Sequence, residues 1–164
     1  MIITVLAAII LPDLLPFFPS KVCARSLVHA STAKSLIGRI TKMQQGYYLE
    51  HGHFASSKQQ LELVPDRELR YTENIWEISI QIKDDIAFAY AVAKYTDPNQ
   101  KFYSYVAATT AYGKPDNYQW TRTICRTLEP STAQPAAPML QESQQFIFWR
   151  HDAKLVCSSS TEDC

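Results

Sequence analysis

Residues 2–18 are apolar at every position but Thr4 and Asp13. Ile2, Ile3, Val5, Leu6, Ile9, Ile10, Leu11, Leu14, Leu15, Phe17 and Phe18 carry the run. It approaches the roughly 20 residues that a helix needs to cross a bilayer. Pro12, Pro16 and Pro19 interrupt it; each removes a backbone donor and crowds the preceding turn, which argues against a straight span. Val22-Cys23-Ala24 offers small residues for cleavage of a secretory signal, yet no Lys or Arg precedes the apolar run as a charged n-region would. Lys21 and Val22 also precede Cys23 where a lipobox would need small residues. A retained hydrophobic helix segment over residues 1–24 is the expectation.

Beyond it the pattern becomes amphipathic. Ser20 is placed to cap a helix running to Leu49, along which Leu27, Ala30, Leu36, Ile37, Ile40, Met43 and Tyr47 recur mostly at three or four residues. Gly52 stands where a helix stops. Residues 54–64, with Leu61 and Leu63, form a loop and short turn that folds back on the helix.

After Pro65 the period changes to two. Trp76, Ile78, Ile80 and Ile82 alternate with Glu77, Ser79 and Gln81, the pattern of a half-buried strand. Lys83-Asp84-Asp85 is a polar turn, and residues 86–95 alternate bulky with small side chains, a second strand. Asp97-Pro98-Asn99 turns the chain again before a third strand at 102–110 and a fourth at 120–128. Residues 129–138 hold three prolines and make a loop, 146–156 add an edge strand, and the tail from Ser158 is polar. One long helix followed by a meander defines an α+β fold, with an antiparallel β-sheet covered by the amphipathic half of the helix. Tyr47, Tyr48 and Phe54 are expected to join helix and sheet, with Tyr47 and Phe54 packed against Trp76, Ile78 and Ile80.

Composition narrows the function. The 16 basic and 16 acidic residues cancel, so the surplus that a dedicated nucleic-acid binder uses to displace counterions is missing. The four glycines, Gly38, Gly46, Gly52 and Gly113, are too far apart for a dinucleotide fingerprint, a phosphate-binding loop or a nucleophile elbow.

The run Met43-Gln44-Gln45-Gly46-Tyr47-Tyr48-Leu49-Glu50-His51-Gly52-His53-Phe54 resembles the helix end of type IV pilins, and within them the cyanobacterial pilin-like G and H group. Pro19-Ser20, Ala33-Lys34 and Gly38 fall at that family's spacing. Leu6-Ala7-Ala8-Ile9-Ile10-Leu11-Pro12 is similar to its apolar segment in a register seven residues away, and Tyr103-Ser104-Tyr105-Val106-Ala107-Ala108 to one of its strands. The resemblance covers roughly the first two-thirds of the chain. It implies a pilin-like globular domain over residues 25–164 and a membrane or filament-core helix before it. The family's processing motif, cleaved after a glycine and closed by a glutamate, has no counterpart: no glycine precedes Gly38 and no glutamate precedes Glu50. Either the true start lies upstream of Met1 or the chain is not processed as a pilin is.

Cys23, Cys125, Cys157 and Cys164 allow three complete pairings, among which spacing does not choose. Cys23, in the helix near the membrane, is the one expected to stay free, and the resemblance makes Cys125 and Cys157 the candidate disulfide. No Cys-x-x-Cys occurs, so a zinc ribbon or thioredoxin-type site has no support. His51 and His53 lie two apart without a carboxylate partner pattern, and no metal is expected there. His29 reads as a packing or surface residue. His151 and Asp152 are neighbours that face opposite sides of a strand, so they do not form a base with its orienter. Asp84, Asp85 and Glu62 read as solvated turn residues, and Tyr112, Tyr118 and Trp120 as packing or a partner interface.

No catalytic residue and no cofactor is expected. The resemblance implies a structural subunit, a minor pilin or pseudopilin of a pilus or secretion machine, working with other pilin subunits and an assembly platform. It would sit in the inner membrane with its globular domain exported. The other reading is a secreted or periplasmic binding domain with a cleaved signal peptide.

Overall fold

The computed structural model describes residues 21–63, 67–97, 100–114, 117–142, 153–159 and 161–163. The elements are α1 (Lys21–His51), α2 (Arg67–Ile75), β1 (Trp76–Lys83), β2 (Ile86–Ala93), β3 (Tyr105–Lys114), β4 (Asn117–Thr127), β5 (Met139–Glu142), β6 (Ala153–Val156) and β7 (Thr161–Asp163). Strands β1-β2-β3-β4-β7 form an antiparallel sheet in that order, and β5 and β6 pair as a separate two-stranded sheet. A helix packed on an antiparallel sheet is the expected α+β arrangement. The apolar residues from Ile2 to Phe18, with Ser20, lie outside the described residues.

Why β2 alternates bulky and small side chains is visible in its burial. Both its faces are covered. Ala89, Ala91 and Ala93 join Ala107 of β3 under α1, together with Ala33, Leu36, Ile37 and Ile40 of the helix. Ile86, Phe88 and Tyr90 point the other way, onto Val106, Ala108, Cys125 and Leu155 of β6. Alanine on the helix side lets α1 lie close to the backbone of the sheet, and the bulky side fills the gap to the β5–β6 layer. Gly38 belongs to the same close approach: a Cβ there would stand 3.5 Å from the Ile124 side chain.

Turn chemistry sets the hairpin. Lys83 pairs with Ile86, leaving Asp84 (φ 51°) and Asp85 (φ 56°) as a two-residue loop in the left-handed region. That conformation matches strand twist and is one that aspartate tolerates. Gly52 (φ 72°) ends α1 by donating its amide to the Tyr48 carbonyl at 2.8 Å, the left-handed helix stop that glycine takes at least cost.

Several sequence expectations need correction. The stretch after Pro65 does not pass straight to a strand: α2 intervenes, with Leu69, Thr72 and Ile75 buried three residues apart. A threonine inside that stripe hid the helical period. Burial of β1 fades toward its end, where Ile82 is 38% exposed, because β1 is the edge of the sheet. Strand β3 begins at Tyr105 rather than at Phe102; Phe102 is buried in the preceding loop, edge-on to Trp76 and Tyr95. Strand β4 starts at Asn117, before Trp120. Of the edge strand read at 146–156 only β6 falls within the described residues, and its partner β5 was not expected. The tail supplies β7, which pairs with β4 through Thr161, Glu162 and Asp163.

Candidate functional site

The helix end and its return to the sheet form the most elaborated part of the described structure. Gln44 is wholly buried on α1. Its amide nitrogen donates to the Ala55 carbonyl at 2.7 Å, and its carbonyl oxygen accepts the Ala55 amide at 2.9 Å. A side-chain amide thus takes the place of a neighbouring strand and satisfies both backbone groups of a buried residue that has no ladder partner. One residue on, the Gln45 amide nitrogen donates to Thr109 Oγ1 of β3 at 3.1 Å, and that hydroxyl donates in turn to the Thr121 carbonyl at 3.2 Å. Successive glutamines therefore tie α1 to its returning loop and to the sheet.

The tyrosines divide. Tyr47 packs against the core cluster that contains Trp76 and Ile78, and its ring stacks on His51 at 4.0 Å with His53 edge-on at 5.6 Å. Tyr48 turns toward β4, where its ring meets Phe54 at 4.7 Å, Tyr118 at 5.3 Å and Trp120 at 5.6 Å. Phe54 is buried and also lies 6.3 Å from Trp120. The structure therefore sets Phe54 against β4 rather than in the cluster of Trp76, Ile78 and Ile80. Gln44 holds the returning loop at Ala55, and Phe54 is carried to Tyr48 and Trp120. Burial, a hydrogen bond with Tyr118, and the negative charge of Asp85 push the Tyr48 phenol above its ordinary value. Trp76 is buried at the start of β1, where its indole nitrogen donates to the Tyr103 carbonyl at 2.8 Å.

On the opposite face Cys125 of β4 is bonded to Cys157, just past β6. The bond staples the β5–β6 layer over Phe88 and Tyr90. Tyr90 is also raised, by burial, with a hydrogen bond to Gln134 acting the other way. Cys164 lies outside the described residues, and the Cys23 side chain is not described.

The remaining sequence candidates are scattered. His51 and His53 are exposed, and their Nδ1 atoms lie 3.0 and 2.9 Å from the carbonyls of Tyr47 and His51. Among the described residues no group of three or more His, Cys, Asp or Glu stands together as a metal site would. His151 and Asp152 lie outside the described residues. Tyr118 and Trp120 meet over Tyr48, whereas Tyr112 pairs with Gln119 and so faces the other side of the sheet. Asp84, Asp85 and Glu62 occupy exposed turns. Sequence reasoning passed over Gln44. Its signal was a polar residue on the apolar stripe between Ile40 and Tyr47.

A long N-terminal helix whose C-terminal half lies on an antiparallel sheet is the arrangement of a pilin-like subunit. A model describing the type IV pilin-like G and H family matches residues 30–148, and the chain belongs to that family. No curated protein and no solved structure gives a significant match. The family is one of structural subunits, exported or pilus-associated, that assemble with other pilins. Among the described residues no helix is long and apolar enough to cross a membrane.

Proposed function

We propose that the chain is a minor pilin or pseudopilin, held in the inner membrane by the hydrophobic segment of residues 1–24. The head of residues 25–164 faces the exported side, and an assembly platform moves the subunit into a filament with other pilins. The observation that carries this reading is the run of α1. The helix is packed on the sheet through Ala33, Leu36, Ile37 and Ile40 and continues back to Lys21. From there the chain leads to the apolar run of residues 2–18. A helix of this kind can be stored in a bilayer and then transferred to a core of like helices, because both surroundings are apolar. The Cys125–Cys157 bond is in keeping with an oxidising compartment.

Fractionation tests the proposal. The full chain should need detergent for extraction, and deletion of residues 1–19 should release a soluble head that keeps its disulfide. A full chain that is soluble without detergent overturns it. Mass spectrometry of the mature protein separates the other reading, since removal of residues 1–24 would mark a secreted domain.

A further inference from the structure

A groove of about 900 Å³ lies between α1 and the β4–β6 side of the molecule. Lys34, Arg39 and Lys42 of the helix, Arg122 of β4 and Lys154 of β6 line it, and no acidic residue does. Lys42, Arg122 and Lys154 are exposed, and among the described residues none of these three enters an ion pair. The chain as a whole is neutral, with 16 charges of each sign, so compensating acids stand elsewhere. Two of them, Asp84 and Asp85, form the exposed tip of the β1–β2 hairpin, and among the described residues neither is in an ion pair. The tip sits beside β3, where the Thr110 hydroxyl donates to the Asp85 carbonyl at 2.8 Å, and outside the groove lining.

We infer that the cationic groove of one copy of this chain receives the Asp84–Asp85 tip of the next. The inference rests on the reading of the chain as a filament subunit and names the surfaces by which heads meet. Groove and tip share no residue, so the contact of one copy's groove with the next copy's tip is heterologous. A docked pair still offers one free groove and one free tip, so further copies can add as a filament requires. Charge complementarity speeds the encounter and fixes the register, while like charges brought together reject wrong pairings. Lipid headgroups are a poorer fit: Lys34 stands about 20 Å along the helix from Lys21 at 1.5 Å per residue, beyond the screening length of about 8 Å at physiological salt. A nucleic acid would call on a basic surplus that the chain does not have.

The test uses two differently tagged full-length copies, co-expressed and extracted in detergent, with a photo-cross-linking benzophenone residue in place of Ile82 beside the tip. Cross-links should map to the other copy's peptides around Lys42, Arg122 and Lys154. Reversal of the groove (Lys42→Glu, Arg122→Glu, Lys154→Glu) or of the tip (Asp84→Lys, Asp85→Lys) should each cut the yield at least about tenfold, a change of about 1.4 kcal/mol. A chain carrying both reversals should recover it. All five side chains are exposed, and a thermal melt of each variant checks that the fold is kept. Copies that cross-link only at other surfaces, or reversals without effect, overturn the groove contact and leave the filament reading standing. If groove reversal abolishes binding to anionic vesicles and leaves cross-linking unchanged, the groove is a lipid site and the inference fails. Copies that never associate overturn the groove contact, and the filament reading is tested apart from it by the fractionation described above.

Discussion

Gln44 and Ala55 exchange two hydrogen bonds across a separation of eleven residues, at 2.7 and 2.9 Å, with the glutamine side chain wholly buried. The pair closes the turn through which the chain leaves α1, and it decides where Phe54 lands.

Gln44→Ala should strand the buried amide and carbonyl of Ala55. Each unsatisfied group costs about 1–3 kcal/mol. The urea midpoint of the soluble head should fall with its m-value unchanged, and Gln44→Leu, which keeps the bulk but not the bonds, should not recover it.

Phe54→Ala removes a buried ring from the Tyr48 and Trp120 cluster, a loss of about 3–5 kcal/mol. His53 is exposed, and His53→Ala should stay within about 0.5 kcal/mol. If thermal melts showed the reverse order, the histidine turn would have a role that packing does not explain.

Two glycines should respond in opposite directions. Gly46 lies exposed in α1 with open space at its Cβ position, so Gly46→Ala should stabilise the head by about 0.5–1 kcal/mol. Gly113 has φ 102°, and a Cβ there would meet the Asn117 backbone oxygen at 2.9 Å. Gly113→Ala should destabilise by more than about 1 kcal/mol, read from the same denaturation curves.

Alkaline pH should unfold the head through Tyr48 and Tyr90. Burial, the leading cause for both, raises their folded pKa above the ordinary 10.0. A group that holds its proton more tightly when folded contributes stability that is fully present below pH 10.0. That stability is lost as pH climbs through the folded values. Melting temperature should therefore fall as pH rises above about 10, and Tyr48→Phe should flatten the fall.

Replacing Cys125 and Cys157 by serine opens a loop with a sequence separation of 32. The chain-entropy cost is about 3–4 kcal/mol. Proteolysis should then cut first in residues 129–138, because the layer over Phe88 and Tyr90 is no longer tethered to β4.

Much of this architecture was legible in the chain. Gly52 marked the helix end, the Asp84-Asp85 pair marked the hairpin, and the alternation of β2 was correctly a strand pattern. What stayed hidden depended on tertiary partners. Thr72 of α2 is polar by type but wholly buried, so a hydrophobic period could not reveal that helix. Strand β7 carries Thr161, Glu162 and Asp163 and gains its order from pairing with β4. The side of the sheet that Phe54 joins is set by the Gln44–Ala55 closure, which no periodicity encodes.

The alanines under α1 also make the head sensitive as a lever. Ala89, Ala91, Ala93 and Ala107 leave no slack between helix and sheet, so a larger side chain at one end of the contact acts as a wedge. A wedge of about 1.5 Å, one carbon–carbon bond, acts beneath a packed stretch of about 16 Å between Ala33 and Gln44. It tilts the axis by about 5°. From a pivot at Gln44 to the helix start at Lys21, about 34 Å at 1.5 Å per residue, the far end swings by about 3 Å. A single methyl group under the head is thus enough to misaim the opposite end of the helix, and such substitutions would spoil the pitch of an assembly before they unfolded its subunit.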